Sequence, residues 1–188
     1  MTEAGPDADT GSTLAVFAAT ALPGDASYAK VLTAAGTLFA RKDVHIVCLL
    51  EDGVYCRPLV KAALAAGGAV TLLSDGDDTA TLARGCTVER WPEEEQRFER
   101  MAELADAIVG LPAGMPAVRA MFNVWLAGGG GASGKPIALL NRNRAYEALR
   151  GFFVDVVTHS LADSDRLVLF ADTVEDLWSA LEPALAKE

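Results

Sequence analysis

The chain has 188 residues, of which 51% are apolar, and this composition suits one globular domain and excludes a disordered protein. A net charge of −10 without a Lys/Arg cluster argues against binding to nucleic acid. No apolar run reaches the ~18 residues of a membrane span. Residues 1–12 are acidic and have no secretion signal, so we expect a flexible lead there and a single domain over 13–188.

Apolar runs of strand length alternate along the chain with segments of helical apolar spacing. The predicted strands cover residues 13–20, 44–50, 69–73, 86–91, 106–111, 135–141 and 165–171. The predicted helices cover residues 28–42, 58–68, 92–105, 115–127, 144–160 and 173–187. This alternation predicts an α/β fold with a Rossmann-like, doubly wound, mostly parallel sheet and helices on both faces. Ligands of such sheets bind beyond the carboxyl ends of the strands.

The cysteines and histidines have no metal-ligand spacing. Cys48, Cys56 and Cys86 are dispersed, and His45 and His159 each stand alone. A zinc site needs such residues in closely spaced sets. We therefore expect reduced thiols in a cytoplasmic compartment, no metal and no cofactor.

Four segments and one tyrosine occur in a recognisable order between about residue 14 and residue 181. They are VFAATALPGDASYAKVLTAAGTLFARKDVHIV, KAALAAGGAV, ADAIVGLP and GKPIALLN, followed by Tyr146. In this order the chain resembles the LOG (LONELY GUY) family, long labelled lysine decarboxylases. The resemblance implies a Rossmann-like phosphoribohydrolase that cleaves the N-glycosidic bond of AMP or of cytokinin riboside 5′-monophosphates. It also implies a dimer, with the helix after the family's signature at the two-fold interface.

Two turns that serve catalysis in the family are altered here. The family's first strand typically ends Cys-Gly-Ser-Ser, and the corresponding residues 18–21 read AATA, so only the hydroxyl of Thr20 remains. Thr20 either hydrogen-bonds a phosphate or only ends the strand. The family's glycine-rich second turn, which holds a phosphate, corresponds to LLEDGVYCR at residues 49–57. Glu51 and Asp52 would repel a phosphate there, or form a relocated acid/base pair.

The signature Pro-Gly-Gly-x-Gly-Thr-x-x-Glu is also largely missing. It corresponds to residues 112–120, PAGMPAVRA, in which Gly114 is the one retained glycine. The final Glu, which supports departure of the base, is Ala120, and Arg119 precedes it. Arg119 could contact an anion or form an interface salt bridge. The family's upstream Arg-Lys pair falls on Arg97 and Phe98, which leaves Arg97 as the surviving catalytic candidate.

Arg97 has two interpretations. It holds an anion, together with Arg100 three residues further along the same helix face, or it is a solvated helix arginine paired with a glutamate. A second group of residues, on the helix after the signature, suits either a core or a protein interface. That group comprises Met115, Met121, Phe122 and Trp125.

We expect a catalytically degenerate LOG-like protein with a structural or regulatory role, as a homodimer or as a hetero-oligomer with an active paralogue. One alternative is an active phosphoribohydrolase that uses Arg97 with a displaced acid. The other is a non-catalytic sensor of a nucleotide or another anion. Leu49, Leu50 and Tyr55 filling the phosphate pocket would argue against binding. An open pocket with Glu51 or Asp52 facing Arg97 would favour the enzyme.

Overall fold

A computed structural model describes residues 11–20, 26–76, 84–129, 134–160 and 168–186, without the side chains of 154–160. The strands are β1 Thr13–Phe17, β2 His45–Leu50, β3 Val70–Ser74, β4 Thr87–Arg90, β5 Ala107–Gly110, β6 Ile137–Leu140 and β7 Val168–Ala171. The helices are α1 Ala26–Arg41, α2 Arg57–Ala65, α3 Glu94–Leu104, α4 Met115–Ala127, α5 Glu147–Ser160 and α6 Val174–Leu185. A short 3₁₀ helix at Arg142–Arg144 was not expected from the sequence.

The seven strands form one parallel sheet in the order β4-β3-β2-β1-β5-β6-β7. The α/β, Rossmann-like prediction is therefore confirmed. The chain builds outward from β1 to β4 and then returns to place β5 on the other side of β1. The order of the strands reverses at this point, so the loops after β1 and β5 diverge to opposite faces and leave a crevice between them.

Two apolar clusters cover the two faces of the sheet. One packs side chains of α1, α2 and α6 against one face, and the other packs α3, α4 and α5 against the opposite face. The central strands are buried on both faces, which explains the uninterrupted apolar run of β2. Gly36 lets α1 approach α2 closely, because a Cβ at this position would lie 2.2 Å from the Leu59 carbonyl oxygen.

Several element boundaries differ from those expected. The first strand ends at Phe17 rather than at residue 20, because its pairing with β5 ends at Phe17 and Gly110. Residues 18–20 leave the sheet and become available to a site. Residues 1–10 of the expected lead, 130–133 of the glycine-rich stretch and 161–167 before β7 lie outside the described residues.

Candidate functional site

A cleft of about 550 Å³ opens beyond the carboxyl ends of β1 and β2 and beside the start of α4. This volume lies within the ~300–1,000 Å³ typical of small-molecule pockets. The position is the reversal of strand order, where α/β sheets bind ligands. The lining residues are Val16, Phe17, Ala18, Ala19, Thr20, Cys48, Leu49, Glu51, Asp52, Val54, Cys56, Gly114, Pro116, Ala117 and Ala120.

Small side chains leave the central space of the cleft open. Ala18 and Ala19 follow β1, and Ala117 and Ala120 come from the first turns of α4. Leu50 and Tyr55 are buried in the core, so of the three residues that could have filled the cleft only Leu49 lines it. The predicted ligand residues Thr20 and Gly114 both line the cleft, and Thr20 is exposed.

A tight turn at residues 51–54 forms one wall of the cleft. Glu51 and Val54 exchange two backbone hydrogen bonds, of 3.1 and 2.8 Å. Asp52 and Gly53 between them have φ values of 50° and 72°, and the Asp-Gly pair suits such left-handed positions. The Asp52 N–H also donates to Asp75 Oδ2, at 3.0 Å. Glu51 and Asp52 therefore line the cleft from this turn rather than from a helix.

Arg97 lies behind this wall and is not one of the residues that line the cleft. It is only 5% exposed on α3. Its Nη1 donates to the Trp91 and Pro92 carbonyl oxygens at 2.9 and 2.8 Å, and its Nη2 donates to Glu51 Oε1 at 3.1 Å. The Arg97 guanidinium therefore bonds to groups of the protein itself, and it holds the Glu51 carboxylate at the edge of the cleft.

The other two arginines that the sequence singled out pair with glutamates away from the cleft lining. Arg100 donates from Nε and Nη2 to both carboxylate oxygens of Glu89, at 2.8 and 3.2 Å. Arg119 donates to both oxygens of Glu94, at 3.1 and 2.5 Å, and thereby ties α4 to α3. The hydrogen bonds from these arginines lower the pKa of each glutamate. Arg97 and Arg100 bond to different glutamates, so they do not form one joint site for an anion.

The predicted apolar stripe on α4 divides between the core and the surface. Met121 is fully buried and Trp125 is 8% exposed, so these two residues pack inside the chain and are not available to a partner. Phe122 is partly buried and stacks on Phe153, with ring centroids 5.8 Å apart. Met115 is 77% exposed. Only Met115 and the outer side of Phe122 remain for an interface.

Sequence reasoning did not place two thiols in the cleft, but Cys48 and Cys56 line it. Burial raises the pKa of Cys48 well above its ordinary value, and burial raises the pKa of Cys56 to about 11. Both groups are therefore neutral thiols at pH 7 and poor nucleophiles. Cys48 is the fourth residue of β2, and Cys56 directly precedes α2. Both cysteines could have been assigned to the cleft if the sequence had shown that the cleft lies at the carboxyl end of β2.

Within the described ranges, no group of three or more His, Cys, Asp or Glu residues is placed to hold a metal ion. Over the same part of the chain, no helix is long and apolar enough to cross a membrane.

Residues 61–181 match the family model described as "Possible lysine decarboxylase". This match covers more than half of the chain. The chain belongs to this family. The resemblance to LOG proteins is thereby confirmed. No protein of curated function matches the chain in sequence.

Solved structures share the fold over nearly the whole chain. TM1055 superposes with a TM-score of 0.67 at 17% identity, covering 92% of this chain and 99% of that one. The Moco carrier protein from Chlamydomonas reinhardtii gives a TM-score of 0.68 at 18% identity and coverages of 94% and 99%. The molybdenum cofactor binding protein from the phototrophic bacterium Rippkaea orientalis gives 0.68 at 14% identity, with coverages of 95% and 100%. At these low identities, the superpositions show a shared fold and no more.

The segment predicted to correspond to the family's signature, residues 112–120, leads into the start of α4. Gly114 caps the N-terminus of α4 without a side-chain hydrogen bond, and Pro116 occupies the first turn. Ala120, which the resemblance aligns with the signature's final Glu, lines the cleft with a methyl group. The described lining therefore contains two carboxylates, and both come from the turn at residues 51–54 rather than from α4.

Proposed function

We propose that this chain is a catalytically degenerate LOG-like protein that keeps the cleft as a binding site for a small ligand and has a regulatory or structural role. The observation that carries the proposal is Ala120, whose methyl group stands in the cleft wall where the family's signature ends in a glutamate. Cleavage of an N-glycosidic bond needs a carboxylate beside the scissile bond to stabilise positive charge or to activate water. Loss of one such group costs ~10²–10⁴ in rate.

The retained cleft supports binding without chemistry. A protein that had lost all use for this site would gain stability by filling it, because unfilled space forfeits van der Waals contacts. Instead, the cleft keeps about 550 Å³ of open volume, with four alanines among its lining residues. Two structural relatives are described as a carrier and as a binding protein for the molybdenum cofactor, so the fold supports small-molecule binding in other proteins.

A surface on α4 supports the expected dimer or hetero-oligomer. Met115 and Leu126 are 77% and 64% exposed, and their separation of eleven residues places them on one side of the helix. Phe122 lies between them on that side, and Phe152 of α5 is 58% exposed. Met115, Phe122, Leu126 and Phe152 form what we call the α4 surface. Large apolar groups of this kind are typical of the core of a protein interface.

The second candidate function is an active phosphoribohydrolase, and one observation favours it. Glu51 lines the open cleft and is held by Arg97 at 3.1 Å, which is the arrangement that a displaced acid would require. A nucleotide or anion sensor is the third candidate, supported by Thr20 and Gly114 in the cleft wall.

Base release from AMP and isopentenyl-AMP, measured together with binding of both nucleotides, separates these candidates. The proposal expects no base release from the native chain. Release that the Glu51→Gln substitution abolishes would establish the hydrolase instead. Glu99→Gln serves as the matched control, because Glu99 is an exposed carboxylate on α3 outside the cleft lining. Nucleotide binding without release would support the sensor.

A further inference from the structure

The cleft offers few of the donors that an anionic group requires. In the wall formed by residues 51–54, the Glu51 and Val54 N–H groups bond within the turn. The Asp52 N–H is used by Asp75, and the Arg57 N–H donates to the Tyr55 carbonyl oxygen at 2.8 Å. Backbone N–H groups bind phosphate only when they are unpaired and converge on it. Four donors next to the cleft are therefore already occupied.

The start of α4 offers fewer donors than most helix N-termini. A helix N-terminus normally presents several unpaired N–H groups to an anion. Here Pro116 stands in the first turn and has no N–H, and Gly114 provides no side chain. The Val118 N–H bonds to the Gly114 carbonyl oxygen at 3.2 Å.

The charges at the cleft also disfavour an anion. The charged residues in the described lining, Glu51 and Asp52, are both acidic. Arg97 is bonded to Glu51 and two carbonyl oxygens, and Arg119 is bonded to Glu94. Glu51 Oε2 and the Asp52 carboxylate make no hydrogen bond or ion pair within the described part of the chain, so both can accept from a ligand. Glu51 Oε1 is paired with Arg97, but Glu51 Oε2 and Asp52 are not, so the carboxylates at this edge of the cleft outnumber the one cation bonded to them.

We infer that the cleft takes an uncharged or cationic heterocyclic ligand whose N–H donors reach Glu51 and Asp52, and that it selects against the phosphorylated form of the same molecule. Val16, Phe17, Leu49 and Val54 would cover the apolar body of that ligand. The inference rests on the proposed function, because it concerns the ligand of the cleft in a chain that does not hydrolyse it. A phosphate beside two carboxylates in a partly enclosed site is repelled, and a neutral donor is not.

Matched nucleoside and nucleotide pairs test this selectivity. Binding of adenosine against AMP, and of guanosine against GMP, would be measured by calorimetry on the full chain. The structure predicts that each nucleoside binds at least about tenfold more tightly than its 5′-monophosphate. Ala117→Trp, which fills the cleft from an incompletely buried position on α4, should abolish binding of the nucleosides.

The double variant Glu51→Gln, Asp52→Asn identifies the cause of the selectivity. Both substitutions keep the side-chain shape, and Asn tolerates the positive φ of Asp52. We expect the double variant to reduce the preference for the nucleoside about tenfold, and Glu99→Gln to leave it unchanged. The inference is overturned by equal or tighter binding of the nucleotides, by a preference that the double variant does not alter, or by no binding of either nucleoside. Base release from AMP would overturn the proposed function, whereas AMP bound intact and tightly would overturn the inference alone.

Discussion

The sequence allowed two interpretations of Arg97, and the structure distinguishes between them. Its guanidinium makes three hydrogen bonds: two go to carbonyl oxygens of the segment before α3, and one goes to the carboxylate of Glu51, which follows β2. The sequence indicated that Arg97 either binds an anion or pairs with a glutamate. Pairing with a glutamate is observed, but the expected solvated arginine is wrong, because Arg97 is buried and its partner lies 46 positions away.

Arg97→Lys should destabilise the chain. The guanidinium has a fixed fork of N–H donors that reaches the Trp91 oxygen, the Pro92 oxygen and Glu51. The ammonium group of lysine is a compact point charge and cannot donate to all three acceptors. Because buried acceptors are then left unpaired, we expect a loss of about 1–3 kcal/mol in the free energy of unfolding, measured by urea denaturation. Arg119→Lys is the control, since that arginine is 57% exposed, and it should leave the urea midpoint nearly unchanged. Equal effects of the two substitutions would contradict this account of Arg97.

The buried thiol of Cys56 should make the free energy of unfolding fall at alkaline pH. Burial raises its pKa from 9.0 to about 11, so the folded state keeps a proton that the unfolded state releases. The stabilisation is fully present below pH 9 and is lost as the pH rises from 9 towards 11. We expect the free energy of unfolding to fall by about 1–2 kcal/mol between pH 8 and pH 10.5, and by less in Cys56→Ala. A Cys56→Ala chain with the same alkaline loss would show that other groups cause it.

At the scale of elements, periodicity predicted the helices and strands that position the site. The sequence also indicated a turn within residues 49–57, but not the geometry that this turn adopts. β2 and α4 were predictable because burial on both faces and helical spacing are local patterns. The turn at residues 51–54 depends on an Asp-Gly pair and on a hydrogen bond from Asp52 to Asp75, a residue distant in sequence. Local patterns do not contain that partner, so the cleft's carboxylates could be suspected from the sequence but not placed.

The contact between α1 and α2 should be intolerant of one added methyl group. A Cβ on Gly36 would lie 2.2 Å from the backbone oxygen of Leu59, which no side-chain rotation can relieve. Gly36→Ala therefore separates the two helices, and we expect a loss of about 1–3 kcal/mol in the free energy of unfolding. Gly151→Ala is the matched control on α5, where a Cβ meets nothing within 4 Å, and it should stabilise the chain by up to about 1 kcal/mol. The same sign for both variants in urea denaturation would contradict the packing argument.

At the scale of the whole molecule, the cleft and the α4 surface lie on different sides of α4. Pro116, Ala117 and Ala120 line the cleft, and the side that carries Met115 and Leu126 is exposed. A parallel sheet with a ligand crevice could be predicted from the alternation of elements alone. Whether the crevice would be open or filled could not, because that depends on which way Leu50 and Tyr55 turn in the core.

The oligomeric state should depend on the α4 surface. We expect a dimer in light scattering coupled to size exclusion, and a monomer after Met115→Glu with Leu126→Glu, because two buried carboxylates at an interface lack partners. Ala65→Glu on α2, an exposed position outside this surface, is the control and should remain dimeric. A native chain that is monomeric at tens of micromolar would contradict the proposed dimer.

The most direct test of the central claim is the rate of adenine release from AMP by the native chain, at enzyme concentrations that would reveal a catalyst weakened ~10⁴-fold. If Ala120 has removed the catalytic carboxylate, release stays at the rate of the buffer alone while the cleft still binds nucleosides. Release above that rate, lost in Glu51→Gln and retained in Glu99→Gln, would mean that the carboxylate held by Arg97 performs the reaction and that the chain is an enzyme.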